Sequence, residues 1–153
     1  MLPNVTYNRS QREYTVIDPQ GEIIATHPAG RDGRQAAFQD AVKAQNIRLY
    51  RQAAALSDAH PQLASRIWRA CEIMLSGEII CPDSGNVLAI VPSQSSEYGG
   101  YNIVNVAGLL ACDCEDFQGG TAVYTDADEQ PRCKHILAFE LATALKTRQC
   151  LYL

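Results

Sequence analysis

Two short motifs, Cys112-Asp113-Cys114 and Cys133-Lys134-His135, constrain this chain more than any other part of its sequence. In each motif a single residue separates two metal-ligating residues, and 18 residues lie between the motifs. Three thiolates and one imidazole form a complete tetrahedral ligand set for zinc. Because such a set leaves no coordination position for water or substrate, the sequence predicts one structural Zn²⁺. The predicted ligands are Cys112, Cys114, Cys133 and His135.

The alternative is that four residues of types that are often buried fall at these spacings by chance. A lone Cys-x-Cys pair would not exclude that alternative. Two pairs, one at a predicted strand end and one at a predicted helix start, favour zinc. Metal binding would contribute on the order of 10 kcal/mol to the folding of this part of the chain, as in zinc-finger peptides.

The residues around the two motifs resemble the SWIM-type zinc finger. Beyond the four ligands, the resemblance rests on Asp116-Phe117, on Lys134, on Ile136-Leu137-Ala138 and on the Tyr101 to Val106 segment. Ala138 stands where an extended form of the motif carries an alanine. The resemblance covers residues 98–145 well and residues 62–97 loosely, and it does not extend to the first 60 residues. It implies a short β-hairpin followed by a helix, with zinc between them.

The function that the resemblance implies is binding, and it does not imply catalysis. SWIM fingers occur in helicase-like chromatin and DNA-remodelling ATPases, transposases, recombination accessory proteins and ubiquitin-pathway proteins, where they are inferred to bind DNA or protein. The chain lacks a Gly-x-x-x-x-Gly-Lys run, so it is not the ATPase itself. We therefore expect a non-catalytic DNA-binding accessory factor in recombination, repair or a mobile element. The alternative is a protein-interaction adaptor that uses its acidic zinc lobe.

Charge is distributed unevenly along the chain, whose net charge is −4. Residues 1–69 carry nine Lys/Arg against six Asp/Glu, whereas residues 70–153 carry four against eleven. Phosphate binding needs clustered cations, so any nucleic-acid contact is expected in the first half. The candidate contacts are Arg31, Arg34, Lys43, Arg48, Arg51, Arg66 and Arg69.

Two aromatic residues, Tyr50 and Trp68, lie near these cations in the sequence. They could stack on bases while the arginines track a phosphate backbone. The alternative is a solvated helical face with Trp68 in the core, and the sequence favours this alternative.

The pattern of elements predicts an α+β fold. A β-hairpin over residues 12–27 turns at Asp18-Pro19-Gln20-Gly21, and helices follow from Arg34, with a break near residues 46–48 and a restart at Pro61. After Gly77 a short antiparallel meander, with strands over 78–81, 87–91 and 101–106, leads into the zinc-stapled ββα-type lobe. We expect a module of unknown role over residues 1–60 and a second one over 61–153, with the finger proper at about 98–145.

The remaining features indicate an ordinary reduced, globular chain. No apolar run is long enough to span a membrane and the N-terminus does not resemble a signal peptide, so we expect a cytoplasmic protein without a membrane partner. No spacing supports a catalytic set, so neither enzymatic activity nor a small-molecule substrate is predicted. Among the other reactive residues, Cys71 is expected in the core, Cys81 as a free buried thiol, Cys150 as an exposed thiol, and His27 and His60 in surface turns.

Overall fold

The computed structural model describes residues 4–95, 99–124 and 130–150, and the side chains of residues 123, 124 and 147–150 lie outside that description. Three strands come first, three helices follow, and a second antiparallel sheet leads into a C-terminal lobe that ends in a long helix. Helices and antiparallel sheets are thus segregated along the chain, and the predicted α+β class is confirmed.

The N-terminal sheet has three strands where the sequence predicted two. The Asp18 carboxylate closes the predicted turn, accepting hydrogen bonds from the backbone N–H groups of Gln20 and Glu22, both at 2.9 Å. The first strand was missed; it places Val5 opposite Val16, and both side chains are buried. The strands are β1 (Val5–Asn8), β2 (Glu13–Ile17) and β3 (Ile23–Pro28), in the order β1-β2-β3.

Three helices pack against one another, the first of them also packs against this sheet, and the predicted breaks between them are confirmed. The first break lies at Asn46, whose side chain accepts a hydrogen bond from the Leu49 N–H at 3.0 Å and so caps the second helix. A single 3-10 turn, Pro61–Leu63, precedes the third. The helices are α1 (Arg31–Gln45), α2 (Ile47–Ala59) and α3 (Ala64–Ser76).

The second half of the chain builds a meander and a lobe. Strands β4 (Val87–Pro92), β5 (Gly100–Val106) and β6 (Leu109–Cys112) form an antiparallel sheet in sequence order. The strand predicted over 78–81 is wrong, since only Ile80 makes an isolated bridge to Ile90. The lobe follows as α4 (Glu115–Gln118), β7 (Val123–Tyr124), β8 (Pro131–Arg132) and α5 (Lys134–Cys150).

A single hydrophobic core joins both halves of the described chain. Helix α3 lies at its centre and packs against α1, α2 and α5. Val42 of α1, Ile67 of α3 and Leu137 of α5 are all fully buried members of this core. The division into modules at residue 60 stays a prediction. Within the described residues, no helix combines the length and apolarity that crossing a membrane requires.

Candidate metal centre

The four predicted ligands meet at one buried point. Cys112 is the last residue of β6, Cys114 immediately precedes α4, and Cys133 and His135 flank the start of α5. Their candidate ligand atoms all lie within 4.8 Å of one another, and each residue is at most 2% exposed. Two sequence segments that are 18 residues apart thus converge on a site that solvent does not reach.

The bend between Cys112 and Cys114 is held by strand β5. The Asp113 carboxylate accepts two hydrogen bonds from Asn102, one from its backbone N–H and one from its side-chain Nδ2, both at 2.8 Å. On the other side, the Gln118 side chain donates to the Cys112 carbonyl at 3.0 Å, and the Gln118 N–H donates to the Cys114 carbonyl at 3.0 Å. These bonds fix the backbone of the motif, so that both thiols can point inward.

The His135 ring packs against an aromatic ring and lacks a hydrogen-bond partner on one nitrogen. Its ring lies 4.4 Å from the Tyr101 ring, centroid to centroid. The Nδ1 atom is 4.0 Å from the Cys133 sulfur, whereas the buried Nε2 atom has no hydrogen-bond partner among the described residues. A buried imidazole nitrogen without a partner is costly, and metal coordination is one way to satisfy such a ring.

The three thiols of the cluster influence one another's protonation. Hydrogen bonding with Cys133, aided by burial, raises the pKa of Cys112, and the same hydrogen bond lowers the pKa of Cys133. Burial raises the pKa of Cys114. The cluster alone therefore favours one thiolate over three, because buried like charges repel. A divalent cation reverses this preference by stabilising every thiolate that it binds.

The donor set fits zinc better than it fits a hard cation. Thiolate and imidazole suit zinc, whereas magnesium and calcium prefer oxygen ligands. In tetrahedral zinc sites a Zn–S bond of about 2.3 Å places neighbouring sulfurs about 3.8 Å apart. The observed spread of 4.8 Å or less is compatible with such an ion after small adjustments. With four protein ligands, zinc here would act as a structural crosslink without an open position.

The segment between the two ligand pairs is partly helical, and an arginine of α3 holds it. Residues 115–118 form the short helix α4. The Arg66 guanidinium lies 3.8 Å from the Asp116 carboxylate and donates to the Thr121 carbonyl. Arg66 as a nucleic-acid contact stays a prediction, and in the structure its charge is shared with the metal lobe. The acidic run at 126–129 lies outside the described residues.

Three of the seven predicted cations come together elsewhere. Arg31 and Arg34 of α1 and Arg69 of α3 line one pocket of about 220 Å³, with Phe38 and Trp68 also in its wall. Trp68 is only 4% exposed and its ring lies 5.7 Å from that of Tyr50. The expected position of Trp68 in the core is therefore confirmed, and its ring is not free to stack on a base.

The other three predicted cations do not join this pocket. Lys43 lies over the ring of Tyr50, with its nitrogen 5.6 Å from the ring centroid. Arg48 and Arg51 are exposed on α2. The predicted basic surface is therefore split into a pocket, a cation–aromatic contact and an exposed helical pair.

The remaining cysteines and histidines lie apart from the cluster. Cys71 is buried as predicted, and burial raises its pKa to about 12. Cys81 is exposed, which corrects the expectation of a buried thiol, because the strand predicted around it is reduced to one bridge. His27 lies in β3 and not in a turn, and its Nε2 is 2.7 Å from the Asp40 carboxylate. His60 caps the end of α2, whereas the side chain of Cys150 lies outside the described residues.

A larger cavity of about 470 Å³ lies between α2 and α5. Its wall includes the leucines Leu56, Leu63 and Leu141. The Arg132–Glu140 ion pair, 3.0 Å long, supplies charge on its α5 side. The absence of a small-molecule substrate stays a prediction.

Comparisons of the chain with protein-family models, with curated protein sequences and with solved structures found no significant match. The site must therefore be interpreted from its own chemistry.

Sequence reasoning found the four ligands but missed Asn102 and Arg66 as residues that support them. For Asn102, the only sequence signal of a supporting role was its position on the strand next to β6. For Arg66, no local sequence signal of such a role existed.

Proposed function

We propose that this chain is a non-catalytic zinc-binding protein that acts as a DNA-binding accessory factor, with one structural zinc ion closing its C-terminal lobe. The observation that carries the proposal is the buried cluster of three thiols and one imidazole. The motif resemblance to SWIM-type fingers agrees with it, since those fingers serve in binding DNA or protein. The role is that of an accessory factor, because a closed four-ligand site has no position for a substrate.

The DNA-binding part of the proposal is supported by charge in the first half of the chain. Arg31, Arg34 and Arg69 share one pocket, and Arg48 and Arg51 remain exposed on α2. Such groups bind phosphates through charge-assisted hydrogen bonds and release counterions. The metal lobe would then act indirectly, because it packs its helix α5 against α3, which carries Arg69.

Two measurements test the proposal. Elemental analysis of protein purified without chelator should give one zinc per chain, and Cys133→Ser should lose it while Cys81→Ser, at an exposed position, keeps it. Titration of labelled DNA should then give an affinity that falls steeply between low and physiological salt. A zinc content of zero would overturn the metal assignment, and salt-insensitive or absent DNA binding would overturn the DNA-binding role.

A protein-interaction adaptor is the second candidate, and one feature of the β5–β6 hairpin favours it. Val106 and Leu109, which pair across the tip of the hairpin, are 57% and 48% exposed. Apolar side chains on a projecting tip suit contact with another protein. A pull-down in which Val106→Ser with Leu109→Ser loses a partner that wild type retains, together with absent DNA binding, would favour the adaptor.

A further inference from the structure

The pocket between α1 and α3 concentrates positive charge at one place. Two of its arginines, Arg31 and Arg34, are one helical turn apart on α1, and Arg69 approaches from α3. The remaining described wall residues are Gln35, Phe38, Ser65 and Trp68, so none of them carries a carboxylate. Three arginines thus line a space of about 220 Å³ whose other described wall residues carry no charge.

The packing below the pocket restrains one of these arginines. The Arg34 guanidinium lies 5.1 Å from the centroid of the Phe38 ring, a cation–π distance that restrains its side chain. The first turn of α1 is pressed against β3, since a Cβ atom on Gly33 would lie 1.8 Å from the Pro28 carbonyl oxygen. Trp68 and Phe38 are both buried, so they give the pocket an apolar wall. A restrained guanidinium such as that of Arg34 loses less entropy when it binds an anion.

The shape of this site favours a single phosphate group over a length of DNA backbone. A duplex backbone is bound by cations spread along a surface, but Arg66 is engaged by the metal lobe and Lys43 lies over Tyr50. A terminal phosphate monoester carries a charge of about −1.5 to −2 at neutral pH, whereas each backbone diester carries −1. A monoester therefore matches three converging arginines better than a diester does.

We propose that Arg31, Arg34 and Arg69 form a binding site for one phosphate monoester, which in the context of the proposed function is the phosphate at the end of a nucleic-acid strand. The inference rests on the proposed function only for the source of the phosphate. A mononucleotide offers the same group, so the experiment must separate the two sources.

The first experiment compares oligonucleotides that differ only at their ends. A labelled single strand with a terminal phosphate, at the 5′ or the 3′ end, should bind about tenfold tighter than the same strand with hydroxyl ends, because charge-assisted hydrogen bonds are lost without the phosphate. The preference should vanish in the double variant Arg31→Gln, Arg69→Gln. The matched double variant Arg48→Gln, Arg51→Gln removes the same charge from exposed positions outside the pocket and should keep the preference.

The second experiment titrates a nucleoside monophosphate and inorganic phosphate. Trp68 is the only tryptophan of the chain and lines the pocket, so its fluorescence should change with inorganic phosphate in wild type and not in the Arg31/Arg69 variant. If the monophosphate binds as tightly as the phosphorylated strand, the phosphate site stands and the DNA-binding role is overturned. If strands with and without the phosphate bind equally, the phosphate site is overturned while DNA binding stands. Equal losses in the two double variants would also overturn the site.

Discussion

Asn102 donates two hydrogen bonds to Asp113, from its backbone N–H and from its side chain, and both are 2.8 Å long. Asp113 is the residue between the first two metal ligands, and Asn102 lies on the neighbouring strand β5. The pair therefore fixes the bend that directs the Cys112 and Cys114 thiols to the same point. Residues that orient metal ligands contribute to metal affinity although they do not touch the metal.

Replacing Asp113 by Ala should weaken zinc binding by about 10- to 100-fold, the usual effect of losing an orienting contact to a metal site. Asn102→Ala removes the side-chain half of the contact and should have a smaller effect in the same direction. Competition with a chromophoric chelator measures both affinities. Glu115→Gln is the control, since it removes a neighbouring charge that has no described bond to β5. Equal affinities in wild type and Asp113→Ala would contradict the orienting role.

Removing the metal should change the reactivity of the cysteines selectively. With zinc present, iodoacetamide should label Cys81, which is exposed, and spare Cys112, Cys114 and Cys133. A chelator should make these three cysteines reactive, because removal of the metal frees their sulfur atoms to react with iodoacetamide. Cys71 should stay unreactive while the hydrophobic core around α3 is folded, because burial raises its pKa to about 12 and almost no thiolate exists at neutral pH. Peptide mass mapping measures each site.

Equal labelling of Cys112 with and without chelator would contradict the prediction that a metal is bound to this residue. Labelling of Cys71 on chelation would mean that loss of the metal unfolds more than the C-terminal lobe. Cys81→Ser is the control for assignment, since this variant should lose the label that the metal-bound protein carries at Cys81.

Local signals in the sequence were sufficient to predict the elements that local chemistry determines. The break at Asn46 was predictable because an Asn side chain caps the following helix at Leu49. The Asp18 turn was predictable for a similar reason. The four metal ligands could be predicted because short spacings between thiol and imidazole residues carry chemical meaning without knowledge of the fold.

Features that depend on distant contacts could not be predicted in this way. Strand β1 is short, and its position is determined by pairing Val5 with Val16 rather than by its own composition. Cys81 is exposed because its expected strand lacks partners beyond the bridge at Ile80. The gathering of Arg31 and Arg69 requires α1 and α3 to pack together, which no spacing in the sequence reveals.

Arg66→Gln should loosen the segment between the ligand pairs without removing the metal. The Arg66–Asp116 pair is 3.8 Å long and partly exposed, so its loss should cost less than about 1 kcal/mol of unfolding free energy. The local effect should be larger than the global one, because Arg66 also donates to the Thr121 carbonyl. Hydrogen exchange at the Thr121 and Ala122 amides, which both donate to the Asp116 carbonyl, should become faster. Unchanged exchange in Arg66→Gln, or equal acceleration in the control Arg69→Gln, would contradict the contact.

Gly33→Ala should destabilise the protein although Ala is the better helix former. Inside most helices this exchange stabilises by up to about 1 kcal/mol. At Gly33 the new Cβ would lie 1.8 Å from the backbone oxygen of Pro28, so α1 or β3 must shift, at a net cost of about 1–3 kcal/mol. Urea unfolding measures the free energy.

The control for Gly33→Ala is Ala36→Gly, one turn further along the same helix, which should destabilise by about 1 kcal/mol through helix propensity alone. Gly33→Ala and Ala36→Gly are thus both expected to lower the free energy of unfolding, although they exchange the same two residue types in opposite directions. Only a steric conflict at Gly33 explains this result. A stabilised Gly33→Ala variant would contradict the close packing of α1 on β3. Because the same turn carries Arg31 and Arg34, the shift in Gly33→Ala should also weaken binding of phosphate in the arginine pocket, whereas Ala36→Gly should leave it intact.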